Sequence, residues 1–299
     1  MSESIVTVKN LTHCFKLTKK LSIKAVDDVS FSIQKGEIFG LVGESGSGKS
    51  TVARCIMNIH KPTGGEIIFE GINTTDPRCA RKNKVTLQTQ RQIIFQDSAS
   101  SLNQRMTAQE IIAEPMKINR VKPPRGSYRK EAAFQLKYVG LDESFLDKYP
   151  PEMSGGQRQR VAIARALSME PDLLVADEPI ASLDVSIQAQ IVNLFRHLQQ
   201  EHGFSILFIA HDLAMVEYLC DRIGVMYRGR LVELAQTEEL LRNPLHPYTR
   251  MLLSAIPCPD PIRERNRPRV NPEDMVFDAE GDLREVSPGH FVLTKEAAQ

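Results

Sequence analysis

Short apolar runs alternate along this chain with stretches of helical periodicity. Residues 5–8, 29–33 and 37–42 read as early strands, and 66–69 and 92–95 as two more. Residues 172–176 and 205–210 are continuous apolar runs, the pattern of strands buried on both faces of a sheet. A helix is predicted from Ser50 onward. Beyond Gln96, and as far as about Ser168, the character turns helical. Residues 108–116 and 128–138 are predicted helices, separated by a segment in which Pro123 and Pro124 cannot continue a helix. In residues 186–202, Ile187, Ile191, Leu194, Phe195 and Leu198 share one helix face, as expected of a helix laid over a sheet. Strands and helices in alternation imply an α/β domain. The expected organisation is a domain over 1–245 with a helical subdomain inserted at about 97–168. A C-terminal extension over 246–299 follows, with one short helix at 246–256 and then a Pro- and Arg-rich stretch.

Composition narrows the classes. With 41% hydrophobic and 25% charged residues the chain is an ordinary globular protein, and a net charge of +1 gives no field that favours nucleic acid. No apolar run approaches the roughly 18 residues needed to span a bilayer. The first eight residues lack the basic start and apolar core of a signal peptide, so the chain is expected to stay in the cytoplasm. Cys14, Cys55, Cys79, Cys220 and Cys258 are odd in number and widely spaced, which predicts free thiols and no zinc site.

Three segments carry chemistry. Gly43-Glu44-Ser45-Gly46-Ser47-Gly48-Lys49-Ser50 forms a phosphate-binding loop between a strand and a helix that continues with Thr51. Its glycines let backbone N–H groups converge on an anion, the helix N-terminus adds its dipole, Lys49 reaches the β and γ phosphates, and the Ser50 hydroxyl suits Mg²⁺. Asp177 and Glu178 end an apolar strand, where a carboxylate can bind the metal directly or through water. Between the two lies Met153-Ser154-Gly155-Gly156-Gln157-Arg158-Gln159-Arg160.

In this order the three segments resemble the nucleotide-binding subunit of ABC transporters. The resemblance implies a P-loop NTPase (RecA-like) α/β core, with an antiparallel β subdomain and the inserted helical subdomain. It also implies an ATPase that uses ATP and Mg²⁺. Asp177, with Ser50 and Gln96, would serve the metal. Glu178 would be the general base, His211 the switch histidine, and Gln96 the link to the helical subdomain. Ser154, Gly155, Gly156 and Gln157 would complete the ATP site of a partner subunit, and Ser182-Leu183-Asp184 would cross the interface. Phe15 stands where the family places an aromatic residue on adenine, with packing in the core as its alternative; His13 is a weaker candidate. Met153 replaces the usual Leu, and Ala181-Ser182 replaces Ser-Ala.

Finer features are similar to the branch that energises oligopeptide and dipeptide import, in particular its second, F-type ATPase. These are Phe95-Gln96-Asp97-Ser98-Ala99-Ser100-Ser101-Leu102-Asn103, Glu114-Pro115, Tyr149-Pro150, residues 184–190, Asn243-Pro244-Leu245-His246-Pro247-Tyr248-Thr249 and Pro288-Gly289-His290. Gln104 departs from the usual Pro. The resemblance implies pairing with a related ATPase or with a second copy. It also implies two transmembrane permeases, seated at a groove lined by residues 98–106, and an extracytoplasmic solute-binding protein reached only indirectly. The chain would lie on the cytoplasmic face of the membrane. Some members hold an iron–sulfur cluster in the extension through four cysteines; here only Cys258 falls there, so no cluster is expected. Other cargo on the same machinery (nickel, glutathione, opines, oligosaccharides) and a non-transport ATP clamp are the alternatives. Asn83-Lys84-Val85-Thr86 fails as a guanine motif. Arg120, Lys122, Arg125, Arg129 and Lys130 read as a solvated surface, with lipid head groups as the alternative.

Overall fold

The computed structural model describes residues 3–16, 18, 21–97, 101–181, 183–255 and 281–295. Residues 98–100, Ser182, Cys258 and the arginines at 263, 265, 267 and 269 lie outside them. The first half holds β1 (Ser4–Lys16), β2 (Ser22–Gln34), β3 (Ile38–Val42), α1 (Lys49–Ile56), β4 (Gly64–Phe69) and β5 (Ile72–Asn73). Then come α2 (Pro77–Lys82), α3 (Lys84–Thr89), β6 (Arg91–Ile94), α4 (Ala108–Ile118), α5 (Tyr128–Tyr138) and α6 (Gly155–Leu167). They are followed by β7 (Leu173–Asp177), α7 (Val185–His202), β8 (Ser205–Ala210), α8 (Leu213–Leu219), β9 (Arg222–Tyr227) and β10 (Arg230–Gln236). Last are α9 (Thr237–Arg242), α10 (Pro247–Ser254), β11 (Asp282–Ser287) and β12 (His290–Thr294).

Two sheets result. The larger runs β11-β12-β10-β9-β3-β8-β7-β6, parallel from β9 to β6 and antiparallel beyond β9. The smaller is antiparallel, β2-β1-β4-β5. The apolar runs of β3, β7 and β8 serve two cores, because successive side chains leave a strand on opposite faces. Ile38, Val42, Leu174, Ala176, Ile206 and Phe208 join the core under the helices. Phe39, Leu41, Leu173, Val175, Leu207 and Ile209 join the core shared with α1 and the antiparallel sheet. This explains why those strands read as unbroken apolar segments.

Local sequence fixes the helix starts. Thr107 and Glu110 form a capping box at α4, and the Ser127 side chain caps α5 by accepting from the Lys130 N–H. The α4 helix absorbs Pro115 and runs on to Ile118, two residues past the predicted end. Strands β1 and β2 are much longer than predicted. Asn10 and Asp28 sit at positive φ, the register shifts around them, and Asn10 donates to the Asp28 carboxylate at 2.8 Å. These bulges interrupt the period-two pattern that would have shown the full strands. The β9–β10 hairpin turns on Arg228 and Gly229, both at positive φ. That hairpin and the hairpin of β11 and β12 were not predicted.

The basic cluster is partly consumed inside the protein. Arg125 pairs with the buried Glu131 at 2.9 Å and lies over the Phe134 ring, and Arg129 pairs with Asp147 at 2.8 Å. A solvated surface holds for Arg129, whose ion pair is exposed, and is incorrect for Arg125, which is drawn against a buried carboxylate and a ring. Cys14, Cys55, Cys79 and Cys220 are free thiols.

Candidate nucleotide site

The parallel strands bring four chain segments to one edge. Register pairs Val42 with Ala210, Asp177 with Ile209, and Ile94 with Ala176, so the residues that follow β3, β7, β8 and β6 emerge together. That carboxyl edge is where open α/β sheets bind ligands. From β3 the chain enters the Gly43–Ser50 loop. Gly43 has φ +148, and a Cβ there would meet the Met226 carbonyl oxygen at 2.2 Å, so β9 presses the loop into shape. The α1 helix then starts at Lys49 with no side-chain cap, and its first N–H groups stay available to an anion. Ser45 is exposed and Ser47 is buried within the loop, while Gly46 faces open space. Thr51 follows on α1 and is half-buried.

Lys49 is 3% exposed, and its ammonium donates to the carbonyls of Gly43 and Glu44, each at 2.8 Å. Burial pulls its pKa down, opposed by the charges of Glu178, Asp177 and Glu44. The Ser50 hydroxyl donates to Asp177 at 2.7 Å. Burial raises the Asp177 carboxyl above its ordinary value, against the Ser50 hydrogen bond and the charges of Arg54 and Lys49. Gln96 donates to Glu178 at 2.8 Å, and the other Glu178 oxygen lies 3.9 Å from the Lys49 ammonium. Glu178 has φ +47, a strained conformation for a side chain of its size and one that collects at functional sites. With His211, at the end of β8, it lines a cavity of about 30 Å³ that also touches Ile180 and Gln188, room for one water. The Ser50 hydroxyl and the Asp177 carboxylate are adjacent hard oxygen donors, the kind that Mg²⁺ takes, and Gln96 is tied to the same sheet edge through Glu178.

Phe15 is half-exposed and does not pack in the core. It pairs across the antiparallel sheet with Ile23, two residues from Ala25, whose carbonyl oxygen would lie 2.4 Å from a Cβ at Gly48. Phe15 is therefore an exposed ring on β1, whose partner strand β2 borders the loop at Gly48. Its ring meets His13 edge-on at 4.6 Å and His60 edge-on at 5.4 Å. The sequence gives no sign of His60, which no motif marks. Burial, followed by the charges of His13 and Arg54, lowers its pKa.

The other predicted site residues are not brought here. Ser154 is exposed and caps α6: its hydroxyl accepts from the Gln157 N–H at 3.3 Å, and Gln157 accepts from the Ser154 N–H at 2.8 Å. At Gly156 an added Cβ would approach the Ile187 side chain of α7 to 2.8 Å, so the two helices meet closely there and a larger residue would force Ile187 to shift. Asp184 opens α7 and is exposed. No hydrogen bond or ion pair among the described residues joins this group to the phosphate loop.

An uncapped helix behind a glycine loop, a buried lysine and paired acids at one sheet edge define a nucleoside-triphosphate-binding ATPase. The ABC transporter family model matches residues 26–181, and that of the oligopeptide/dipeptide transporter C-terminal region matches 232–278. The chain belongs to the ABC transporter family of ATP-binding subunits. It is 50% identical to the oligopeptide transport ATP-binding protein OppF of Bacillus subtilis, over 99% of this chain and 98% of that protein. It is 46% identical to the dipeptide transport ATP-binding protein DppF of Lactococcus lactis, over 99% and 95%. A solved dimeric ATP-binding cassette, in a post-hydrolysis state bound to ADP and Pi, superposes with TM-score 0.69 at 32% identity, covering 78% of this chain and 98% of that one.

Proposed function

We propose that this chain binds and hydrolyses ATP to power binding-protein-dependent import of oligopeptides or dipeptides. It would work from the cytoplasmic face of the cell membrane as a peripheral subunit. The observation that carries this reading is the union, in one chain, of the Ser50–Asp177 and Gln96–Glu178 pairs with a C-terminal region matched to oligopeptide/dipeptide transporters. No helix among the described residues is long and apolar enough to cross a membrane, which agrees with a role beside permeases.

Phosphoryl transfer asks mainly for positioning and charge neutralisation. Loop amides and Lys49 hold the phosphates, and Phe15 offers a face to the adenine. Ser50, Asp177 and Gln96 are the residues that would hold Mg²⁺, whose charge offsets that of the phosphates. Glu178 accepts a proton from the attacking water, and His211 lines the same small cavity. Ser154, Gly155, Gly156 and Gln157 act on the ATP of a second subunit, with Asp184 at the joint. ATP thus closes a dimer and hydrolysis opens it, a two-state element that permeases can bias. The second subunit is a related ATPase or another copy. Cargo contacts the permeases and the solute-binding protein and never this chain.

Purification of the tagged chain from detergent-solubilised native membranes, with identification of what accompanies it, tests this reading. Two multi-span permeases and a related ATPase are expected, together with loss of labelled-peptide uptake in a deletion strain. Association with ribosomes or DNA would remove the transport reading.

A further inference from the structure

Among the described residues, the segment after β10 reaches the phosphate loop through the hydroxyl of Tyr248. Tyr248 of α10 is fully buried, with its ring 4.4 Å from that of Tyr227 at the end of β9. Its hydroxyl oxygen accepts the backbone N–H of Glu44 at 3.0 Å. That N–H belongs to the same peptide unit as the Gly43 carbonyl, which accepts the Lys49 ammonium at 2.8 Å. A peptide unit is planar, so fixing its N–H fixes the direction of its C=O. One edge of this peptide therefore holds the lysine and the opposite edge is held by the tyrosine.

Tyr248 is itself held firmly. The carboxylate of the fully buried Glu233 accepts the N–H groups of Leu245 and His246, at 2.7 and 3.0 Å, just ahead of α10. His290 of β12 meets the same carboxylate at 2.8 Å. The hairpin of β11 and β12, the strand β10 and the start of α10 are thus tied together before the chain arrives at Tyr248. Charged-group hydrogen bonds of this kind are worth more than neutral ones.

We infer that Tyr248 is a positioning residue for the phosphate loop: through the Gly43–Glu44 peptide it orients the carbonyl that seats Lys49, and so links the seat of the C-terminal extension to nucleotide affinity. The inference rests on the reading of this loop as an ATP site.

Tyr248→Phe tests it in the full-length chain, because it removes one oxygen and keeps the ring packing. A neutral hydrogen bond lost at a buried donor predicts that Kd and KM for Mg-ATP rise by about three- to tenfold, with kcat within about twofold of wild type. Hydrogen exchange at the Glu44 amide should quicken by a similar factor, while the circular-dichroism spectrum is retained. Equal affinity and equal exchange in the variant would overturn the inference, as would a fall in kcat with Kd unchanged. If the wild-type chain binds no ATP, the site reading falls and the inference falls with it. If the wild type binds ATP and the variant matches it, only the inference falls.

Discussion

The phosphate edge and the Ser154 edge are built to opposite designs. Lys49 and Asp177 are almost wholly buried, and Lys49, Asp177 and Glu178 each have a partner from the same chain. Ser154 and Asp184 are exposed, and among the described residues the Ser154 hydroxyl does no more than cap its own helix. Preorganised groups of fixed geometry are what stabilise a transition state. An exposed helix start with two glycines suits a ligand that arrives from outside. The contrast is the physical basis for expecting one chain to bind ATP and two to hydrolyse it.

The largest expected effect sharpens that contrast. Glu178→Gln keeps the Gln96 contact and the shape of the site, so ATP binding should persist. Turnover should drop by about a hundredfold or more, as for loss of a general base, in a coupled ATPase assay. An ATP-dependent dimer should accumulate on gel filtration. Near-wild-type turnover would take Glu178 out of its role. Lys49→Ala removes a buried charge-assisted contact and should weaken ATP by about a hundredfold in calorimetric titration. Unchanged affinity would sink the loop assignment.

Ser154→Arg probes the other edge. Single-chain ATP affinity should stay within about twofold, while hydrolysis falls by about tenfold or more, the cost of one lost oxyanion-type donor being at least that large. A matching loss of affinity would erase the distinction between the edges. Phe15→Ala should weaken ATP by about fivefold, the scale of one aromatic stack.

The smallest effect concerns stability. Burial raises the Asp177 carboxyl, so the native chain holds that proton more tightly than the unfolded chain. The group therefore favours the fold below its ordinary pKa, and that advantage is lost as pH rises through the raised value. At pH 7, without nucleotide, Asp177→Asn should unfold at a higher temperature than wild type. The gap should close as pH falls below about 4, the ordinary carboxylate value, in scanning calorimetry. A lower Tm at pH 7 would show that the Ser50 hydrogen bond outweighs the burial.

Much of this was legible because its signals are local. Glycines with a lysine mark the loop, apolar runs ending in acids mark β7, and a one-sided helix face marks α7. What escaped was carried by distance in the chain. Glu44 and Tyr248 are 204 residues apart, and the hydroxyl that joins them leaves no periodic trace. His60 sits by Phe15 only because two sheet strands and a turn converge. Strands β1 and β2 were read too short because their bulges hide the alternation. The hairpin of β11 and β12 is largely polar and exposed on β11, so it lacks the apolar contrast that marks a strand.

Strands apolar on both faces carry little information about their own alignment, since a slip by one residue exchanges one greasy side chain for another. In β7 the polar index mark is Asp177, the carboxylate at its end that accepts from the Ser50 hydroxyl. The residue proposed for the metal thus also marks where the strand stops. An apolar side chain at that position would cost more than activity: it would also remove the hydrogen bond that ties the end of β7 to the start of α1.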